Sequence, residues 1–100
     1  MPNETYPHYV IILTKVPELT LAKETIQRHI EHLRNLDSKK LLVLCGPFSD
    51  HPSGMIVVRA ENKEAAIKLA ESDPFVIEGV RTFDVRTWIL ANAENNYLGN

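Results

Sequence analysis

Three short runs in this chain are apolar at successive positions, and that pattern leaves few folds open. They are Tyr9-Val10-Ile11-Ile12-Leu13, Leu41-Leu42-Val43-Leu44-Cys45 and Met55-Ile56-Val57-Val58. Each is short and mostly β-branched or aliphatic, as expected of a strand buried on both faces. Side chains alternate along a strand, so Val10 and Ile12 point one way while Ile11 and Leu13 point the other. Ile56 and Val58 oppose Val57 in the same manner. Such strands need cover on two sides, and the segments between them supply it for one side only.

The first of those segments predicts a helix from about Glu18 or Thr20, after Pro17 ends the first strand. Its stripe is Ala22, Ile26, Ile30, Leu33 and Leu36, at helical spacing, and Asp37-Ser38 ends it. Gly46-Pro47 stops the second strand, and the turn formers Ser49 to Gly54 predict a hairpin into the third. Asn62 is placed as N-cap of a second helix that turns Ala65, Ala66, Leu69 and Ala70 inward. Asp73-Pro74 opens one further turn, with Asp73 as cap and Pro74 at the first helical position, and Gly79 closes it. The last strand runs from Thr82 to Leu90. The tail, 91–100, reads as a polar appendage.

The order is β-α-β-β-α-β, so the fold expected is α+β and ferredoxin-like, with a four-stranded antiparallel sheet. The 100 residues make one domain, 1–100, with a core over about 8–90. Two helices cover one sheet face. The other stays bare and apolar, which marks an interface; a homodimer packed sheet face to sheet face is the expected remedy.

Charge narrows the partners. The net charge is -2, whereas a nucleic-acid-binding domain carries clustered Lys and Arg, so no nucleic acid is expected. No apolar run approaches the ~20 residues that span a bilayer, and no membrane association is expected. The lone Cys45 has no partner for an internal disulfide, and the simplest address is the cytoplasm.

The chemistry-bearing residues are few. At 100° per residue His29 falls inside the apolar stripe, between Leu36 and Leu33, so its side chain points at the sheet. One reading is a core histidine with a satisfied ring nitrogen; the other is an imidazole at a pocket floor, suited to proton transfer. His32 stands three residues on. An i, i+3 pair can ligate a metal, but His32 falls outside the stripe and no third ligand joins at suitable spacing, so no metal is expected. His8 and His51 read as solvated, and Cys45 as a small buried apolar residue. Asp73 is a helix cap by its local pattern; its second reading is a carboxylate that orients an imidazole. Gly46-Pro47-Phe48 is a hairpin corner, or a place where Gly46 lets a ligand approach the backbone while Phe48 lines a pocket. There is no phosphate loop, dinucleotide fingerprint or nucleophile elbow.

With those residues in order, the chain resembles the YciI (YCII-related) family. The matching segments are Tyr9 to Leu13, Arg28-His29-Ile30-Glu31-His32-Leu33, Leu44-Cys45-Gly46-Pro47-Phe48, Gly54 to Val58, and Ala70-Glu71-Ser72-Asp73-Pro74-Phe75-Val76. They span about residues 8 to 90. The resemblance implies a dimeric α+β barrel and a His-Asp pair in a pocket, here His29 and Asp73, with Gly46, Pro47, Phe48 and Phe75 as substrate-binding residues. One characterised branch of the family is a cofactor-free dehydrochlorinase acting on a chlorinated hydroxyquinol. Three departures stand out: Cys45 replaces the usual small residue before Gly-Pro, Asp37-Ser38-Lys39-Lys40 replaces a Gly-containing turn, and the tail beyond Leu90 is longer than the family minimum.

The function expected is therefore a small enzyme with no cofactor. His29 would be the general base or acid and Asp73 its orienting carboxylate, in an elimination or isomerisation on a small cyclic or aromatic-derived compound. The alternative is a dimer that only binds a small ligand in the same pocket.

Overall fold

The computed structural model describes residues 5–99. Strand β1 (His8–Lys15) leads into helix α1 (Lys23–Ser38), then β2 (Leu42–Pro47), β3 (Ser53–Arg59), α2 (Lys63–Glu71), the single turn α3 (Pro74–Ile77) and β4 (Arg81–Trp88). The four strands form one sheet in the order β2-β3-β1-β4, and every neighbouring pair is antiparallel. Both long helices lie on the same sheet face. This is the ferredoxin-like α+β architecture.

The core forms where that face meets the helices. Tyr9, Ile11, Leu13, Ile56, Val58 and Val85 rise from the sheet to meet Leu36, Ala66, Ala70 and Phe75. The fully buried Ala66 and the nearly buried Ala70 bring the α2 backbone close to β1 and β4. The caps fall where expected. Asn62 accepts from the Ala65 N–H at 2.9 Å, and Asp73 accepts from the Phe75 N–H at 2.9 Å with Pro74 behind it. Gly79 leaves α3 with φ 76°, a conformation that favours glycine.

Helix α1 departs from its expected course. It begins at Lys23, because the chain first turns at Glu18 (φ 70°) and stays extended to Ala22. Its inward face is also rotated, by roughly 60° at 100° per residue. Thr25 and Leu36 are buried and His29, His32 and Leu33 partly so, while Ile26 and Ile30 are more than a third exposed. The cause is polar. Glu78, just past α3, accepts from Thr25 Oγ1 at 2.6 Å and pairs with Arg28, which turns that side of α1 inward. His32 is thus brought against α2, beside the Leu69 backbone.

The turn from α1 to β2 holds Lys40 at φ 61°. A side chain there costs about 1–2 kcal/mol in the left-handed region, which glycine avoids at some loss of chain entropy. The Lys40 carbonyl accepts from Arg59 Nη1 at 3.3 Å, a bond glycine would keep. Lys40→Gly is expected to stabilise the fold by about 0.5–1 kcal/mol, read as a higher urea midpoint at unchanged slope.

The opposite sheet face is uncovered by helices. Val10, Ile12, Leu44, Met55 and Val57 share it by register, and Leu44 is 55% exposed. Strand β4 is different, since it alternates: Thr82, Asp84 and Arg86 face that side, with Arg86 paired to Asp84 at 3.0 Å. The strand ends at Trp88 rather than Leu90. The tail is not simply polar either. Asn92 caps a short 3-10 turn over Ala93–Asn95, and Trp88, Ile89, Leu90, Tyr97 and Leu98 are all exposed nearby.

Candidate active site

His29 is the seventh residue of α1, and Asp73 is the N-cap of α3, 44 residues later. The fold brings them together: His29 Nδ1 lies 2.8 Å from Asp73 Oδ1. The same carboxylate oxygen accepts the Phe75 N–H, so the cap that starts α3 also fixes the carboxylate against the imidazole. The Asp73 side chain is 1% exposed and that of His29 15% exposed. An ionised carboxylate is an acceptor only, so the imidazole Nδ1 carries the hydrogen. That leaves Nε2, on the far side of the ring, as the nitrogen free to take a proton.

The ring is also held from its face. Phe75 stacks on His29 with centroids 3.8 Å apart and planes within 6°. A hydrogen bond at one edge and an aromatic plane beneath leave the imidazole little freedom, which is what a positioned proton-transfer group requires.

His29 and Phe75 form part of the wall of a cavity of about 610 Å³ between α1 and the hairpin end of the sheet. Gly46, Pro47 and Phe48 line it as well, whereas Asp73 stays buried behind His29 and is not part of the wall. Aliphatic wall comes from Leu13, Leu21, Leu33 and Ile56. A Cβ on Gly54 would stand 3.1 Å from the Gly46 carbonyl oxygen, so glycine backbone rather than side chain forms that part of the cavity.

Several lining residues went unforeseen. Cys45 lies on the helix-facing side of β2, opposite Ile56, yet its thiol is exposed to the cavity rather than buried in core. His51 is exposed, as expected, and also borders the cavity, with Nδ1 2.8 Å from Ser53 Oγ. Arg81, the first residue of β4, places its guanidinium carbon 5.4 Å from the Phe75 ring centre. A short turn motif or a strand end carries no local mark of such a placement; the alternation of β4 from the core residue Val85 back through Phe83 to Arg81 was the one available clue.

His32 completes the surroundings of Asp73. Burial holds its imidazole below the ordinary value of 6.5 and the nearby His29 adds to this, while the Asp73 charge and the Leu69 backbone oppose it. The folded state thus disfavours the proton on His32. The stability this contributes is present in full above pH 6.5 and is lost as pH falls from there through the lowered folded value. His32→Gln is expected to flatten stability between pH 7.5 and 5, measured as the difference in urea midpoint from the parent. Equal slopes in the two proteins would contradict it. Among the described residues no group of three or more His, Cys, Asp or Glu could hold a metal ion.

Comparison with known proteins gives the family and supports the fold. The family model of the YCII-related domain matches residues 8–89. The uncharacterised protein YjpA of Bacillus subtilis (strain 168) is 34% identical over 68 residues, covering 68% of this chain and 80% of that protein. Among solved structures, the 5-chloro-2-hydroxyhydroquinone dehydrochlorinase TftG of Burkholderia phenoliruptrix AC1100, in complex with 2,5-dihydroxybenzoquinone, superposes with a TM-score of 0.72. It covers 89% of this chain and 99% of its own at 19% identity, a likeness of fold. With a match across nearly all of β1 to β4, this chain belongs to the YCII-related domain family.

Proposed function

We propose that this chain is a cofactor-independent enzyme in which His29 moves a proton on a small cyclic or aromatic-derived compound. The observation that carries the reading is the 2.8 Å contact of His29 Nδ1 with a buried carboxylate, at the wall of a cavity large enough for such a compound. His29 Nε2 takes the proton from an acidic C–H bond, and the bonding pair moves toward an adjacent carbonyl. In an elimination the pair then returns and expels a leaving group from the neighbouring carbon. In an isomerisation the imidazolium gives its proton back at a different carbon. Asp73 orients the ring and stabilises the imidazolium without taking the proton itself. The shared fold of a dehydrochlorinase bound to a dihydroxybenzoquinone supports this class of reaction. Gly46, Pro47, Phe48 and Phe75 would then shape the substrate space.

The test is incorporation of solvent deuterium at the acidic carbon of small cyclic ketones and hydroxyquinones, followed by mass spectrometry. Exchange that requires His29 supports the reading; exchange equal to buffer alone across the panel sinks it.

The reading extends to a homodimer. The face of Val10, Ile12, Leu44 and Met55, which no helix covers, suits a second copy, which would close two sheets into a barrel. Light scattering at micromolar concentration is expected to give a mass near twice 11.4 kDa; a monomer would contradict it. We also place the protein in the cytoplasm, a compartment that keeps an exposed thiol such as Cys45 reduced.

A further inference from the structure

The cavity holds one permanent cation and no anion. Arg81 lines it, and among the described lining residues none is Asp or Glu. Asp73, the carboxylate behind His29, is engaged by His29 and the Phe75 N–H and is 1% exposed. Among the described residues Arg28 pairs with Glu78, Arg34 with Glu31 and Arg86 with Asp84, while Arg59, which does not line this cavity, bonds the Lys40 carbonyl. Arg81 has no such pair. Its one hydrogen bond is from Nη1 to the adjacent Val80 carbonyl at 2.8 Å, which leaves most of its five N–H donors uncommitted. It is also partly buried, over the Phe75 ring. A guanidinium withdrawn from bulk water without a counter-charge is costly, and its planar fork matches the oxygens of an organic anion.

We propose that Arg81 anchors an anionic oxygen, so that the ligand of this cavity is a small planar organic anion: a carboxylate, phenolate or enolate. Phe75 links the two halves of the site. Its ring stacks on His29 and lies under the Arg81 guanidinium, so an anion held by Arg81 along that ring puts its carbon skeleton beside the imidazole. The placement of the reacting carbon rests on the function proposed for His29; the sign of the ligand charge does not.

Benzoate and benzamide have nearly the same shape and differ in charge, and they serve as probes. Affinities are measured by NMR titration of the parent, R81Q, R81K and H29N proteins. The parent is expected to bind benzoate at least tenfold more tightly than benzamide. R81Q should lose that preference while keeping its benzamide affinity, which also reports an intact cavity. R81K should keep part of it, as a charge without the fork. H29N should retain the preference, so a failure of the proposed proton chemistry leaves this result standing and the reverse. Equal affinity of the parent for both probes, no benzoate binding at millimolar concentration, or unchanged benzoate affinity in R81Q would each overturn the proposal. A parallel loss of both ligands in R81Q and R81K would assign Arg81 a structural role and overturn it as well.

Discussion

Asp73→Ala is expected to destabilise the protein by about 2–4 kcal/mol, the largest loss from any single polar side chain here. Two roles fall together at that residue. As N-cap of α3 its carboxylate accepts the Phe75 N–H, and loss of a cap costs about 1 kcal/mol. As partner of His29 it satisfies a ring nitrogen on a side chain that is only 15% exposed, and an orphaned donor there costs about 1–3 kcal/mol more. Asp73→Asn separates the two. Its oxygen can still serve the Phe75 N–H and the imidazole, but its NH2 group would occupy the place of Oδ2, which is buried and has no hydrogen-bond partner. Two amide hydrogens without an acceptor make that variant weaker than the parent by about 1–2 kcal/mol. Urea unfolding gives both values. The nitrogen-15 shifts of His29 give the second readout: the Nδ1–H tautomer should dominate in the parent and be lost in Asp73→Ala. An Asp73→Ala protein as stable as the parent, or with the same tautomer, would show that the contact holds nothing in place.

His29→Ala is expected to lower the proposed proton transfer by about 10²–10⁴-fold while the chain stays folded. General base catalysis by a positioned imidazole contributes about that much. The variant leaves the buried Asp73 carboxylate without its partner and loses stability for that reason, yet it stays folded because Leu36, Ala66 and Ala70 pack without the ring. Retention of the urea slope with loss of deuterium exchange is the predicted pair of results. Full exchange in the variant would remove His29 from the chemistry and leave a pocket that only binds. A variant that unfolds would be read through His29→Gln, which keeps polar bulk over Phe75 and lacks a base of comparable strength.

The parts of the site that were legible in the sequence are those set by local rules. His29 could be aimed at the sheet side of its helix because residues three and four apart share a helix face. Asp73-Pro74 could be read as a helix start because a carboxylate before proline caps the orphan N–H groups of a first turn. The orientation of α1 was read less well. Its apolar residues Ile26 and Ile30 set the expected stripe, yet Thr25 and His32 took the inner face. Hydropathy counts apolar side chains and does not register that Glu78, 50 residues from Arg28 and 53 from Thr25, would hook both.

By itself the sequence determined the element order, the caps at Asn62 and Asp73, and an apolar sheet with helices enough for one side, because periodicity and capping act over a few residues. Only the tertiary structure decided that Asp73 meets His29, that Phe75 stacks beneath it, and that Cys45, His51 and Arg81 face one cavity. These follow from strand register and from how α1 and α3 pack. Each contact joins residues whose chain neighbours carry no information about one another, so the physics that places them is that of the assembled core.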